Sequence, residues 1–286
     1  MDAALHVVKK IPATLSASSR FDGFRREPLH GVRIREVEMD PALEAMKSAW
    51  MMCRISKDNN GVTNLGMNYC RMLELMDKRG YAAKDIERFS ISLAEFQNEE
   101  NFPIKAGLYL SALMNASEDT GFVIHTAHLG GSIENLGYHN SKDIKIDGHA
   151  GNGIGYDMHA GSIIVDGDAG GYVGAWMNGG SIIVKGDATD TAGTGMEGGA
   201  ITIEGDALGW VGNKMRDGTI TINGNAAYYA GSLMAGGTII VNGHAGIEIG
   251  QEMEGGKLIL NGGYGDISRH IRGGMIFLGE KLIFPK

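Results

Sequence analysis

Four columns of residues recur every 19 positions from residue 137 onward, and no other feature restricts the fold as tightly. Gly148, Gly167, Gly186, Gly205, Gly224, Gly243 and Gly262 form one column, and Gly155, Gly174, Gly193, Gly212, Gly231 and Gly250 a second. Met158, Met177, Met196, Met215, Met234 and Met253 form a third, and Gly161, Gly180, Gly199, Gly218, Gly237 and Gly256 a fourth. A glycine every few residues excludes helix. The short β-branched runs between the glycines, such as Ser181-Ile182-Ile183-Val184, suit strands. Nineteen residues cannot enclose a core alone, so each unit stacks on copies of itself. Strands of successive turns then run parallel, about 4.8 Å apart. The columns lack the sub-period of hexapeptide left-handed coils. The expected fold is therefore a mainly β, right-handed parallel β-helix of about seven 19-residue turns. Near Gly273–Gly279 the register is lost, which predicts a cap.

Side-chain alternation predicts which positions form the core. Ile163, Ile182, Ile201, Ile220, Ile239 and Leu258 point in, as do Val165, Val184, Ile203, Ile222, Val241 and Leu260. Ala169, Ala188, Ala207, Ala226 and Ala245 suit a tight corner, and the methionines complete the interior. Two outward columns stand out. One holds Ile164, Ile183, Thr202, Thr221, Ile240 and Ile259; the other holds Tyr172, Thr191, Trp210 and Tyr229. Stacked isoleucine and aromatic side chains are unusual on a water-exposed face. One column is expected to lie under the chain's own N-terminal helices and the other under a partner subunit.

Composition divides the chain. Residues 1–120 hold six of the 45 glycines, while residues 121–286 hold the rest and carry most of the net charge of −8. Residues 1–125 read as an extended lead plus helices that cap or dock, and residues 126–286 as the coil. Helices are expected over Ala42–Arg54 behind an Asp40 N-cap, over Thr63–Arg79 with Gly80 as the stop, and over Pro103–Asn115. Cys53 and Cys70 make no disulfide framework and read as buried thiols. No apolar run suggests a signal peptide or a membrane span, so a reduced cytoplasmic setting is expected. The acidic balance argues against nucleic acid.

Turns such as Gly170-Gly171-Tyr172-Val173-Gly174-Ala175-Trp176-Met177-Asn178-Gly179-Gly180-Ser181-Ile182-Ile183-Val184 resemble the GXGXG superfamily. That group includes the C-terminal domain of the glutamate synthase large subunit. It also includes the β-helical subunits of formylmethanofuran dehydrogenase and of the formyltransferase/hydrolase complex. The resemblance covers roughly residues 137–280. It implies a scaffold packed against catalytic subunits, with no catalytic residue on the repeat and no cofactor bound by this chain. Molybdopterin or tungsten, iron–sulfur clusters, zinc or FMN would belong to the partners.

The chemistry-bearing residues give no sharper assignment. Asp168, Asp187 and Asp206 stack in one column that continues as Asn225 and His244. They either hold a cation or, the preferred reading, accept backbone N–H bonds within their own turns. His125 and His128 are three apart, with His139, His149 and His159 beyond. No cysteine or suitably spaced acid joins them, so surface or capping roles are expected and no metal site. Gly153-Ile154-Gly155 and Gly193-Thr194-Gly195 lack the following helix of a dinucleotide loop. The sequence also lacks a Gly-x-Ser-x-Gly nucleophile elbow. The leading expectation is a non-catalytic structural subunit of a multi-subunit oxidoreductase or transferase assembly. Alternatives are a glutamate-synthase-type subunit working with glutaminase and FMN synthase subunits, a free-standing homo-oligomeric binding protein, and an enzyme with a catalytic groove on the coil.

Overall fold

The computed structural model describes residues 40–76 and 80–285. The parallel coil begins with β1 (Gly121–His125), β2 (Asp143–Asp147), β3 (Ser162–Val165) and β4 (Ser181–Val184). It continues through β5 (Ala188–Asp190), β6 (Ala200–Ile203), β7 (Ala207–Gly209), β8 (Thr219–Ile222) and β9 (Ala226–Tyr228). It ends with β10 (Thr238–Val241), β11 (Ala245–Ile247), β12 (Lys257–Leu260), β13 (Met275–Leu278) and β14 (Lys281–Phe284). The main sheet has the order β1-β2-β3-β4-β6-β8-β10-β12-β13-β14. Its strands are parallel except for β14, which folds back on β13 and closes the coil. A second sheet runs β11-β9-β7-β5.

Register follows the repeat: Ile163 pairs with Ile182, Ile182 with Ile201, and Ile201 with Ile220. The coil makes about eight turns, because it extends past the strict period at both ends. Phe122 pairs with Ile144 and Leu258 with Ile276, so the first turn is longer than the repeat and the last is shorter. The expected inward columns are buried, methionines included. The alanine column does more than fill a corner. From Ala188 onward it opens the short strands of the second sheet, with each alanine facing inward. The Gly148-type column works through close approach. A Cβ at Gly243 would lie 2.3 Å from Gly224 O, and one at Gly262 would lie 2.4 Å from Gly243 O.

Four α-helices precede the coil among the described residues: α1 (Pro41–Met52), α2 (Leu65–Glu74), α3 (Ala83–Ser92) and α4 (Phe102–Ala116). Asp40 caps α1 by accepting from the Ala42 and Leu43 N–H groups, and its other oxygen accepts from Arg88 on α3. Those bonds, the Leu43 N–H foremost, hold its carboxyl below the usual range. α2 ends at Glu74, short of the expected Arg79; residues 77–79 lie outside the described residues, as do residues 1–39, on which the expected extended lead falls. Cys53 is buried, and burial pushes its thiol up to about 11. Cys70 is exposed, contrary to expectation, because α2 turns Tyr69 and Met72 inward.

α3 is absent from the sequence expectations. Ile86, Phe89, Ser90 and Leu93 mark its buried face at helical spacing. Its N-terminus has no side-chain cap of its own; the Ala83 N–H donates to Asp119 Oδ2, far along the chain, at 2.7 Å. α4 is buried over nearly its whole length. It lies so close to the first turn that a Cβ at Gly107 would fall 1.7 Å from Glu134 O. Ser111 Oγ accepts from the Gly137 and Tyr138 N–H groups of that turn. Helices and coil share one continuous core running from Met46 to Ile276. An open coil end would expose Phe122, Ile124 and Ile133, and the helices prevent this, as terminal caps do in repeat proteins.

Candidate functional site

The expected outer column is aligned in register from Ile164 through Ile183, Thr202, Thr221, Ile240 and Ile259. All six side chains are half-buried, each shielded by its neighbours above and below. The column begins beside exposed Lys145 and ends at Phe277, over whose ring Lys257 Nζ sits at 4.7 Å. The helices were expected to cover one outer column. Instead α3 packs on β1, and none of the described helices packs broadly on β3–β12. They are used up at the coil's end, where the core would otherwise be open.

The second column turns out to be a backbone corner. Tyr172, Thr191, Trp210 and Tyr229 all adopt left-handed φ angles between 55° and 67°. That conformation is uncommon for non-glycine residues and rare for β-branched or bulky ones. Tyr172 is 50% exposed, while Trp210 and Tyr229 stack with ring centroids 4.3 Å apart. Further exposed apolar side chains lie on the same turns without a mark in the repeat pattern. Trp176, Leu208 and Ile247 are all exposed. Trp176 lies over Gly195, where a Cβ would meet its ring at 2.5 Å. Leu208 falls in a column that is otherwise polar or small, and Ile247 in one that mixes Asp190, Gly209 and Tyr228, so no periodic signal singles them out.

The stacked carboxylates bond between turns, not within their own. Asp168 Oδ1 accepts from the Asp187 N–H at 2.9 Å, and Asp187 Oδ1 from the Asp206 N–H at 2.7 Å. Asp206 Oδ1 accepts from Asn225, and Asn225 Oδ1 from His244. Each carboxylate therefore seals the turn above it.

The histidines meet acids that their spacing in sequence conceals. His125 Nδ1 lies 2.8 Å from Asp147 Oδ2, and its Nε2 lies 3.1 Å from Glu87 Oε1. These bonds, the Glu87 one foremost, raise the His125 pKa above its ordinary value. His128 Nε2 meets the Ile91 carbonyl at 3.0 Å, a capping contact. His139, Asp157 and His159 converge at one corner of the first two full turns. The glycine pairs resembling nucleotide loops are packing positions: a Cβ at Gly155 would lie 2.5 Å from Ile182 Cδ1. Ser162 is a strand-start residue whose Oγ donates to Asp143.

A cavity of 580 Å³ lies beside β14, lined by Tyr264, Asp266, Ser268 and Phe284. Another of 420 Å³ lies between α1 and α4, at Cys53, Glu99 and Lys105. Both are at the ends of the molecule, away from the repeat's outer wall. No helix among the described residues is long and apolar enough to cross a membrane.

No protein-family model matches this chain, and no curated protein matches it. Among solved structures it is similar to a chain in the crystal structure of the formyltransferase/hydrolase complex from Methylorubrum extorquens in complex with methylofuran. That similarity is 32% identity over 51% of this chain and 57% of the other, with a TM-score of 0.45.

Proposed function

We propose that this chain is a non-catalytic structural subunit of a multi-subunit enzyme assembly in C1 metabolism. Its type is the β-helical subunit of formylmethanofuran dehydrogenase or of a formyltransferase/hydrolase complex. The observation carrying this reading is the outer wall. Isoleucines on successive strands and aromatics at successive corners form apolar surface on the same turns, and the described helices leave it open. Surface of that kind marks an interface more often than a monomer's solvent face. The GXGXG resemblance of the turns supports the same reading, because such coils serve as scaffolds beside catalytic subunits. Redox or hydrolytic cofactors then reside in partner chains, and the assembly is cytoplasmic.

The experiment is affinity purification of the tagged full chain from its native cells, followed by native mass spectrometry. Co-purifying formyltransferase or dehydrogenase chains in fixed stoichiometry support the proposal. Glutaminase and FMN-binding synthase chains would instead assign it to a glutamate-synthase-type assembly. A pure homo-oligomer, or hydrolytic activity of the chain in isolation, would contradict the scaffold role.

A further inference from the structure

We infer that His139, Asp157 and His159 form a binding site for a divalent transition metal of the zinc class, open to solvent on one side. Each residue offers one ligand atom, and the three atoms lie within 4.8 Å of one another. His139 Nδ1 is 3.2 Å from His159 Nε2, and His139 Nε2 is 3.4 Å from Asp157 Oδ2. Zinc bonds to imidazole and carboxylate are about 2.0–2.2 Å, so two ligands at a tetrahedral angle sit about 3.3–3.6 Å apart. The His139 Nδ1–His159 Nε2 pair is near that spacing, while Asp157, whose 3.4 Å approach is to the other His139 nitrogen, lies within 4.8 Å of the pair and closes on the same ion by turning its side chain. Two imidazoles and one carboxylate select zinc, cobalt or nickel over calcium and magnesium, which prefer all-oxygen sets.

The supporting contacts match what ligating residues require. Asn178 Nδ2 donates to Asp157 Oδ1 at 3.1 Å, leaving Oδ2 turned toward His139. The His139 ring stacks on Tyr69 from α2, with centroids 5.7 Å apart, and meets the edge of Tyr138. The Tyr69 hydroxyl in turn accepts from Asn115 on α4. His139 and Asp157 both sit at left-handed corners, with φ of 51° and 53°. Helices and coil together hold the first imidazole, and the coil alone supplies the other two ligands. His159 is exposed, so solvent reaches the remaining coordination position, as in zinc sites with three protein ligands.

The same edge of the coil behaves differently in later turns, and the contrast is informative. There the carboxylates meet permanent cations: Glu197 pairs with Arg216, and Glu252 and Glu254 pair with Arg272. At Asp157 the side-chain partners are imidazole and amide. A bound cation there supplies the charge that arginine supplies elsewhere. The cluster at His125 differs as well, because it offers a single imidazole between two carboxylates, with no second imidazole to select a transition metal.

The test is titration of the full chain with Zn²⁺ by calorimetry, in parallel with Co²⁺ followed by its visible absorption. The variants are His159→Ala, Asp157→Asn and, as a control, His125→Gln. His159 is exposed, so its replacement leaves the fold intact, which circular dichroism checks. The expected result is one Zn²⁺ bound at this site and a tetrahedral-type Co²⁺ spectrum. Affinity should fall at least tenfold in His159→Ala and Asp157→Asn and stay unchanged in His125→Gln. Equal binding by wild type and His159→Ala, or no binding by the wild type, overturns the assignment.

Discussion

The Tyr228 hydroxyl donates to Asp190 Oδ1 at 3.1 Å, tying one turn to another two turns away. Gly209 lies between them in the second sheet, paired to both. The Tyr228 ring crosses directly over it, and a Cβ at Gly209 would come within 2.3 Å of that ring. Glycine here makes room for a side chain that reaches across a turn.

Gly209→Ala should therefore leave the coil folded but push Tyr228 off Asp190. The Tyr228 pKa is raised by that hydrogen bond first, then by burial, so it should fall toward the ordinary phenol value in Gly209→Ala and in Asp190→Asn. An NMR titration with labelled tyrosine Cζ reads this directly. An unchanged Tyr228 midpoint in Asp190→Asn would contradict the assignment.

Glycines of the close-approach column should tolerate no side chain. In Gly243→Ala the new Cβ meets the backbone carbonyl of Gly224, which cannot rotate away. Marked destabilisation is expected by denaturant unfolding. Gly121→Ala, where no atom lies within 4 Å, should be close to neutral. Met196→Ala should cost about 2–5 kcal/mol as a buried large-to-small change, since Met196 is fully buried between turns.

His125 gives a pH dependence of defined sign. Its pKa in the folded chain is raised above the ordinary 6.5 by Glu87 and then Asp147, against a lowering from burial. The stabilisation it contributes is full below that ordinary value. It is lost as pH rises through the raised folded-state value. Unfolding free energies measured at intervals from pH 5 to pH 9 should lose this component in His125→Gln. A wild-type profile identical to that of the variant would remove His125 from the account.

How much of this was legible in the sequence depends on how each contact is spaced. The main-sheet strands β3, β4, β6, β8, β10 and β12 follow from columns that recur at one fixed period, because each inward isoleucine or leucine meets its counterpart, whereas the alanine column that opens the second sheet reads as a corner. The first and last turns depart from that period, so β1 and β13 carry no such mark. α3 lacks a local cap because Asp119, beyond α4, provides it. His139 falls one residue off the period and Asp157 is the one aspartate in a column continued by Trp176, Gly195, Lys214, Leu233 and Glu252, and their left-handed corners bring together side chains that strand alternation would separate. The carboxylate column was visible as a column, but the direction of its bonds was not. A turn motif satisfies its own backbone, whereas here the nearest free N–H belongs to the next turn.

The wall's role is most directly tested by hydroxyl-radical footprinting of the chain alone and in its natively purified assembly. Tyr172, Trp176 and Trp210 react from solvent, and Tyr264 serves as a reference at the coil's end. Loss of labelling at Tyr172, Trp176 and Trp210 in the assembly, with Tyr264 unchanged, is the predicted result. Equal labelling of those three aromatics in both states would contradict the proposal that this wall holds the partner subunits.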